Sequence, residues 1–559
     1  MSGYAFRRPN EPAALALMNQ GCAPWLARLL SARGVSSAED AKPSLSGLLH
    51  YGALRHIDAV AQRLGRAIES QERIVVVGDY DADGATGAAV AVMRLRMLGA
   101  RDVRFVVPDR VRHGYGLSPE VVRLAAEHRP QVLVTVDNGI SAFSGVEHAR
   151  MLGIDVVVTD HHLAADRLPD TPWIVNPNQP GCGFAGKSTA GVGVIFYVLL
   201  AVRARQIQAG RDRAPLESLL DLVALGTVAD VVPLDANNRR LVAAGLQRIR
   251  TGRSRPLISR LFEVAKREAT FATSSDLGFY IGPRLNAAGR LQDMTLGIDG
   301  LLCEDSVRAQ EIAQALDAIN RERRAVQQQA QSEACALIEE EAFGTRTGIV
   351  VYQADWHEGV VGLVASQIKE RYWRPTIVLC DAEDGSVKGS GRSIPGLHLR
   401  DALVDLDRLH PGLITRFGGH AMAAGLTMPK AHVPVLQDAF ESLCQERLDP
   451  QRLHRIVLLD EPPPQSEWKL STSQSLRSYP WGQHFDEPTF GSALPIVRQE
   501  VLKDAHLRIE VDAEGRRIKG ICFGRTEPIP DGALCAWKLD AQRYQERDYV
   551  SIRVEGVYE

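Results

Sequence analysis

The stretch RIVVVGDYDADGATG, residues 73–87, decides the fold. Ile74 to Val77 is an unbroken β-branched run, the pattern of a strand buried on both faces. Gly78-Asp79-Tyr80-Asp81-Ala82-Asp83-Gly84 follows, and a helical pattern begins near Thr86. Working outward, the same alternation of short β-branched runs and Ala/Leu-rich helical stretches recurs to about residue 230, through VRFVV, QVLVTV, IDVVVT and WIV. That alternation predicts a parallel sheet covered by helices.

Further along, Asp305 to Glu341 lacks Gly and Pro, and apolar residues from Ile312 to Leu337 recur at helical steps, which predicts one long helix. After Gly344 a second α/β pattern runs through GIVVY, GVVGLVASQIKERY, PTIVLC and LRDALVDL to about Asp449. LDEPPPQSEW, 459–468, breaks regular structure because three prolines lack amide protons and fix φ. The remainder alternates as HLRIEV, RRIKGICF and YVSIRVEGV, predicting a small β-barrel. The expected division is an N-terminal extension 1–45, a catalytic α/β domain 46–300, a connecting helix 301–343, a smaller α/β domain 344–450 and a C-terminal β domain 451–559.

The chain has 559 residues, and 65 Lys plus Arg against 68 Asp plus Glu give a net charge of −3. A globally basic nucleic-acid binder is excluded, although local basic surfaces are not. The longest apolar stretch, Ala190 to Val202, is 13 residues, short of the roughly 18–20 needed to span a bilayer. Together with the absence of a secretory pattern in MSGYAFRRPNEPAALALM, this predicts a cytoplasmic protein. Eight cysteines without a C-x-x-C pair argue for reduced, structural thiols.

The chemistry concentrates at the predicted strand ends. Three carboxylates at alternate positions, Asp79, Asp81 and Asp83, repel one another unless cations lie among them. Asp137 ends QVLVTV and Asp160-His161-His162 ends IDVVVT. In a parallel sheet these strand ends share one edge, so the groups can converge. Carboxylate oxygen beside imidazole nitrogen suits Mn²⁺, with Mg²⁺ acceptable where oxygen dominates. Asp230, in LGTVADVVPL, is a further carboxylate, which taken alone suits a C-terminal loop better than a metal.

GDYDADG, VDNG around Asp137, TDHH and TVADVVPL resemble the four motifs of the DHH phosphoesterases. GPRLNAAGR (282–290), ADWHEGVVGLVAS (354–366) and FGGHAMAAG (417–425) are similar to segments of its branch of bacterial single-strand-specific exonucleases, the RecJ family. The resemblance runs from about Ala41 onward. It implies a DHH domain joined by the long helix to a DHH-associated domain, with a C-terminal OB fold. It also implies 5′-to-3′ hydrolysis of single-stranded DNA to mononucleotides with two Mn²⁺ or Mg²⁺ ions, in recombination and repair. By matching motif positions, Asp81 and Asp83 are metal ligands, Asp137 bridges two metals, and His161 and Asp230 complete the set. Asp79 is a ligand or supports one, His162 contacts the scissile phosphate, and Asp160 orients the histidine loop. With Asp83 and Asp137, His162 forms the expected catalytic group. Two-metal hydrolysis needs no covalent nucleophile. The family also implies a single-strand-binding protein and a RecQ-type helicase as partners; a monomer without membrane contact is expected.

For substrate binding, the expected residues are Tyr115, Arg284, Asn286, Arg290, Trp356, His357, Arg392 and His420. Gly282 and Gly289 beside the arginines, and the small residues of Gly391-Arg392-Ser393 and 418–425, would let backbone amides approach phosphate. Trp356 could stack on a base or fill a core. Nine basic residues against one acid between Arg239 and Arg267 suit either a phosphate-binding or a solvated face. In the C-terminal domain Arg508, Arg516, Arg517, Lys519 and Phe523 are candidates, and YPWGQHFDEPTFG departs from the G-N-P form common in the family. A catalytically dead replication scaffold is disfavoured by the full ligand set, and a small-molecule pyrophosphatase by the extra basic segment and β domain.

Overall fold

A computed structural model of the chain describes residues 3–110, 113–211, 215–340, 346–382, 384–544 and 547–558. The chain forms two compact units, one built chiefly from Ala318–Val457 and the other from Phe6–Asp317 with Leu458–Glu559. The C-terminal β domain, read from sequence as a separate segment, therefore belongs to the same compact unit as the catalytic sheet.

That sheet has five strands in the order Val103–Val106, Ile74–Val77, Val132–Val136, Asp155–Thr159, Ile174–Val175. Every neighbouring pair is parallel, in keeping with the β-branched runs. The chain runs from the Ile74 strand to one side and then crosses to the other, so a topological switch point lies between Ile74–Val77 and Val132–Val136. Crevices outside such carboxyl ends are the usual ligand sites of open parallel sheets. The helix after the first strand, Ala82–Met97, starts four residues before Thr86 because Asp81 caps it, accepting a hydrogen bond from Gly84 N at 3.0 Å. Helix Gly191–Gln208 is 18 residues long and apolar enough to cross a membrane by composition, longer than the 13-residue run in the sequence. It is instead a core helix, with most of its residues buried against Ala82–Met97 and Ile57–Glu69.

The long helix spans Ser306–Glu340. In its unit, a five-stranded sheet begins with parallel strands Ile349–Tyr352 and Thr376–Asp381 and continues antiparallel through Val387–Arg392, Ala423–Met428 and Arg416–Gly419. The last three strands are not legible as such in the sequence, because their Gly and Ser content reads as loop. They contain Gly391-Arg392 and Gly418-Gly419. Backbone amides expected to face phosphate are therefore paired with other strands, as in the Ser390–Gly425 and Arg392–Ala423 registers.

The C-terminal sheet orders its strands as Phe490–Ser492, Leu534–Tyr544, Arg547–Tyr558, Arg516–Phe523, His506–Ala513, Ile496–Leu502. The two end strands are separated in sequence by only residues 493–495, where Pro495 interrupts the ladder. The ends of the sheet are thus brought together and it curls into a barrel around Trp537, which packs edge-on against Trp468. All eight cysteines are free thiols.

Candidate active site

Asp79 lies in the turn that leaves strand Ile74–Val77, buried, with Oδ1 lacking a hydrogen-bond partner among the described residues. Asp83 sits in the first turn of the helix that Asp81 caps. Its two oxygens accept from Gly191 N (2.7 Å) and Val192 N (2.9 Å) at the start of the apolar core helix. A carboxylate suits that place, since a helix N-terminus presents unpaired amides and positive dipole. Asp137 follows the third strand in sequence with φ 64°, a left-handed conformation that Asp tolerates better than most residues. Its neighbour across the site must be Gly191, because a Cβ there would stand 2.5 Å from Asp137 Cβ.

Asp160 organises the histidines. Its Oδ1 accepts from His161 N at 2.7 Å and His162 N at 3.1 Å and lies 2.8 Å from His162 Nδ1, while Oδ2 accepts from Ile140 N at 2.9 Å. His161 Nε2 then reaches Asp137 Oδ1 at 3.1 Å and Asp230 Oδ2 at 3.5 Å. Asp230 arrives from another direction, at the C-cap of helix Leu220–Ala229.

The electrostatics are those of an anion cluster held out of water. Burial, then the charge of Asp81, raises the Asp79 carboxyl well above its usual range. Burial and Asp83 do the same to Asp137, and burial and Asp83 to Asp230. Asp83 is pushed up to about 7 by burial and by Asp81, against the pull of the Val192 and Gly191 amides. Asp160 behaves oppositely. Burial works to raise it, but the hydrogen bond and charge of His162 outweigh that and lower it. Burial alone would lower His162, and Asp160 raises it instead. Buried carboxylate oxygens Asp79 Oδ1, Asp137 Oδ1 and Asp230 Oδ2 have no hydrogen-bond partner among the described residues. Ligand atoms lie within 4.8 Å of one another in three sets: Asp79–Asp81–Asp137, Asp83–His161–Asp230 and Asp137–His161–His162. Asp137 and His161 each belong to two sets, so the donors suit a pair of hard divalent cations sharing a carboxylate.

Residues 73–227 match the DHH family N-terminal domain, 346–446 the DHHA1 domain and 459–556 the RecJ OB domain. The chain is 46% identical to the single-stranded-DNA-specific exonuclease RecJ of Escherichia coli over 96% of each chain, and 42% identical to that of Haemophilus influenzae over the same share. The chain belongs to the RecJ family. Solved RecJ structures from Thermus thermophilus share its architecture, one in complex with Mn²⁺ (TM-score 0.84, 27% identity) and one with Mg²⁺ (TM-score 0.78, 25% identity). Each match covers all of this chain, and 79% and 78% of theirs.

Other positions singled out by RecJ-like motifs are distributed differently. Tyr115 adjoins the cluster, its hydroxyl donating to Asp137 O at 2.8 Å and lying 3.0 Å from His162 Nδ1. Asn286 accepts from Ala82 N at 2.7 Å, so it supports the carboxylate loop. Arg284 is buried and bonded to Asp317 and to Tyr280 O, and Arg290 is partly buried on the same helix. The close approach at Gly289 is to protein: a Cβ there would stand 1.9 Å from Tyr80 O, so this glycine serves the catalytic loop where phosphate contact was expected. Trp356, read as able to stack on a base, is 6% exposed and donates its indole N–H to Glu333 at 2.8 Å, so it is a core residue. His357 is exposed and caps helix Glu358–Tyr372, accepting from Gly359 N at 3.0 Å. Arg392 bonds Ser366, Ser390 and Gly391 O, and His420 is exposed.

In the basic run 239–267, Arg239 and Arg240 are buried, Arg248, Arg250, Arg255, Arg260 and Arg267 are half-buried, and Arg253 and Lys266 are exposed, so the run does not form one open face. Arg239 lies 4.4 Å from the Phe485 ring, Arg240 pairs with Asp40 at 2.7 Å, Arg250 donates to Ala272 O and Arg255 to Leu301 O. The unusual YPWGQHFDEPTFG segment supplies that partner. Trp481 stacks on Phe485 at 4.8 Å, both are buried, and Leu234 N donates to Gln483 O. This segment fastens the β domain to the catalytic domain. In the β domain Arg508, Arg516, Arg517, Lys519 and Phe523 are exposed. Sequence reading missed Arg110, whose guanidinium lies 4.6 Å over the Tyr80 ring beside the carboxylate loop. Its signal was a basic residue five positions before Tyr115.

Proposed function

We propose that this protein is a metal-dependent exonuclease that degrades single-stranded DNA 5′ to 3′, releasing mononucleotides in DNA recombination and repair. The observation that carries the reading is the convergence on His161, at the switch point of the sheet, of buried carboxylate oxygens without a hydrogen-bond partner among the described residues. Asp79, Asp81, Asp83, Asp137, His161 and Asp230 would hold two Mn²⁺ or Mg²⁺ ions, Asp137 joining the two sets. When bound, such ions acidify a water and neutralise charge on attacking and leaving oxygens. The protein's own contribution is preorganisation. Asp160 fixes the imidazole of His162 and keeps it protonated to a higher pH, which suits a donor to the scissile phosphate. Asn286 and Gly289 hold the carboxylate loop close to its supporting helix, and Tyr115 braces Asp137 and His162. Arg290 in one unit, and His357, Arg392 and His420 in the other, are each assigned to the DNA strand, while Arg284, buried against Asp317 and Tyr280 O, and Trp356, bonded to Glu333, stabilise their own units.

We place the protein in the cytoplasm as a monomer, acting beside a single-strand-binding protein and a RecQ-type helicase; its domains follow the five segments drawn from sequence. The deciding experiment offers purified protein and Mn²⁺ a 5′-labelled single strand, a blunt duplex and pyrophosphate. Mononucleotides from the single strand alone, stopped by EDTA, support the reading, whereas phosphate release from pyrophosphate with intact DNA overturns it.

A further inference from the structure

Strand Asp155–Thr159 stops just before Asp160, and its edge neighbour Ile174–Val175 ends where Val175 O accepts the last ladder bond, from Asp160 N at 3.2 Å. The backbone of His161 and His162 therefore has left the sheet. A backbone donor or acceptor that leaves a ladder needs a new partner, and here side chains supply all four. Asp160 Oδ1 takes both N–H groups. The two carbonyls are taken by the segment that follows the edge strand, Asn176-Pro177-Asn178. Asn178 Nδ2 donates to His161 O at 2.6 Å, and Asn176 Nδ2 donates to His162 O at 2.9 Å.

The two amides are themselves fixed. Asn176 is fully buried and its Oδ1 accepts from Asn178 N at 2.7 Å, so the side chain that holds His162 also sets the second asparagine. Pro177 between them fixes φ, and Asn178 Nδ2 is steadied further by Lys187 O at 3.2 Å. Both histidines are half-buried, so water could have satisfied their carbonyls. Directed amides add what water does not, a fixed position. Functional groups must be held within about 0.5 Å of their working places, and a two-residue loop pinned at four backbone atoms meets that demand. Each asparagine serves a different imidazole. His161 Nε2 stands 3.1 Å from Asp137 and 3.5 Å from Asp230, whereas His162 Nδ1 faces Asp160 at 2.8 Å and the Tyr115 hydroxyl at 3.0 Å.

We infer that Asn176 and Asn178 are positioning residues with separable effects: Asn178 sets His161 for metal binding, and Asn176 sets His162 for the scissile phosphate. The second half rests on the nuclease reading above. The test uses the full-length protein in three measurements: Mn²⁺ binding by calorimetry, turnover of a 5′-labelled single strand at saturating Mn²⁺, and strand binding by anisotropy in EDTA. Asn178→Ala raises the Mn²⁺ Kd about tenfold, the usual cost of losing a partner that orients a ligand, and its kcat returns to within about twofold of the wild type once Mn²⁺ saturates. Asn176→Ser keeps a hydroxyl that accepts from Asn178 N but does not reach His162 O. It lowers kcat about tenfold while KM for the strand and the Mn²⁺ Kd stay within about twofold. Both variants bind the strand in EDTA as the wild type does. Thr171→Ala removes a hydrogen bond to Val156 O, 2.7 Å, at the other end of the same strand, and serves as the reference for lost stability alone, with Mn²⁺ Kd and kcat unchanged. Asn178→Ser and Asn176→Thr replace any variant that does not fold. Wild-type Mn²⁺ affinity without Asn178, or wild-type kcat in Asn176→Ser, overturns the corresponding half. Loss of metal binding and turnover together in both variants overturns the separation and leaves the asparagines a structural role. Pyrophosphate hydrolysis with intact DNA would instead overturn the nuclease reading and leave the Mn²⁺ result standing.

Discussion

Two regions of this molecule combine small residues with a few polar groups, and they treat those groups in opposite ways. At the carboxyl ends of the parallel strands, glycines bring the backbone against acids, and Asp79, Asp137 and Asp230 each keep a buried oxygen without a hydrogen-bond partner among the described residues. In the antiparallel sheet of the other unit, the glycines of Val387–Arg392 and Ala423–Met428 pair with one another and Arg392 is bonded to Ser366 and Ser390. Unrelieved electrostatic cost marks the first region as a site, since a buried carboxylate without a partner opposes folding unless something binds it. In the second region Arg392 is bonded within the protein, and His420 is exposed.

The largest expected effect separates two carboxylates inside the first region. Asp137→Asn should lower the exonuclease rate at least ~10³-fold, as for loss of a metal-bridging ligand, while raising the melting temperature in EDTA because one repelling charge is gone. Asp83→Ala should lose activity equally but also lose about 1–2 kcal/mol of stability, since its oxygens cap helix Gly191–Gln208. Equal melting behaviour of the two variants would break the comparison. Next, Trp356→Ala should cost the second region about 3–5 kcal/mol by urea denaturation, as expected of an emptied core site; a loss under about 1 kcal/mol would contradict its burial.

The pH dependence should be smaller and of defined sign. The folded-state values of Asp79, Asp83, Asp137 and Asp230 are raised, so the folded protein binds more protons than the unfolded chain. Their contribution to stability is fully present below the ordinary carboxylate range and is lost as pH rises, for Asp83 through about 7. Melting in EDTA should therefore fall between about pH 4 and 7 from this source, and Mn²⁺ should raise the melting temperature more at about pH 8 than at about pH 5. Asp160 contributes oppositely, its stabilisation being lost as pH falls, so Asp160→Asn should remove the acid-side loss. Smallest, Arg392→Ala should weaken single-strand binding about fivefold at low salt and less at high salt, as for one phosphate contact.

Much of this was legible in the chain. β-branched runs 74–77, 132–136 and 155–159 announce central parallel strands because burial on both faces leaves no polar alternation. Each carries its acid or histidine just past the strand end, so convergence of Asp79, Asp137 and His161 follows from connectivity alone. The antiparallel strands around Gly391 and Gly425 were not legible, because a strand rich in Gly is stabilised by its neighbours and not by propensity. The inward packing of Arg239 and Arg250 was not legible because charge alone does not reveal burial; a guanidinium with a long apolar stem packs inside when aromatic rings such as Phe485 and backbone carbonyls receive it.

By itself, then, the sequence determined the parallel sheet, the long helix and which residues stand at the strand ends, because local periodicity and strand direction specify them. Only the tertiary structure decided which oxygens remain unpartnered, that Trp356 is core, that Gly289 serves Tyr80 and that Asn176 and Asn178 hold the carbonyls of the two histidines. Those outcomes depend on contacts between residues far apart in the chain, where packing and desolvation, rather than local pattern, set the free energy.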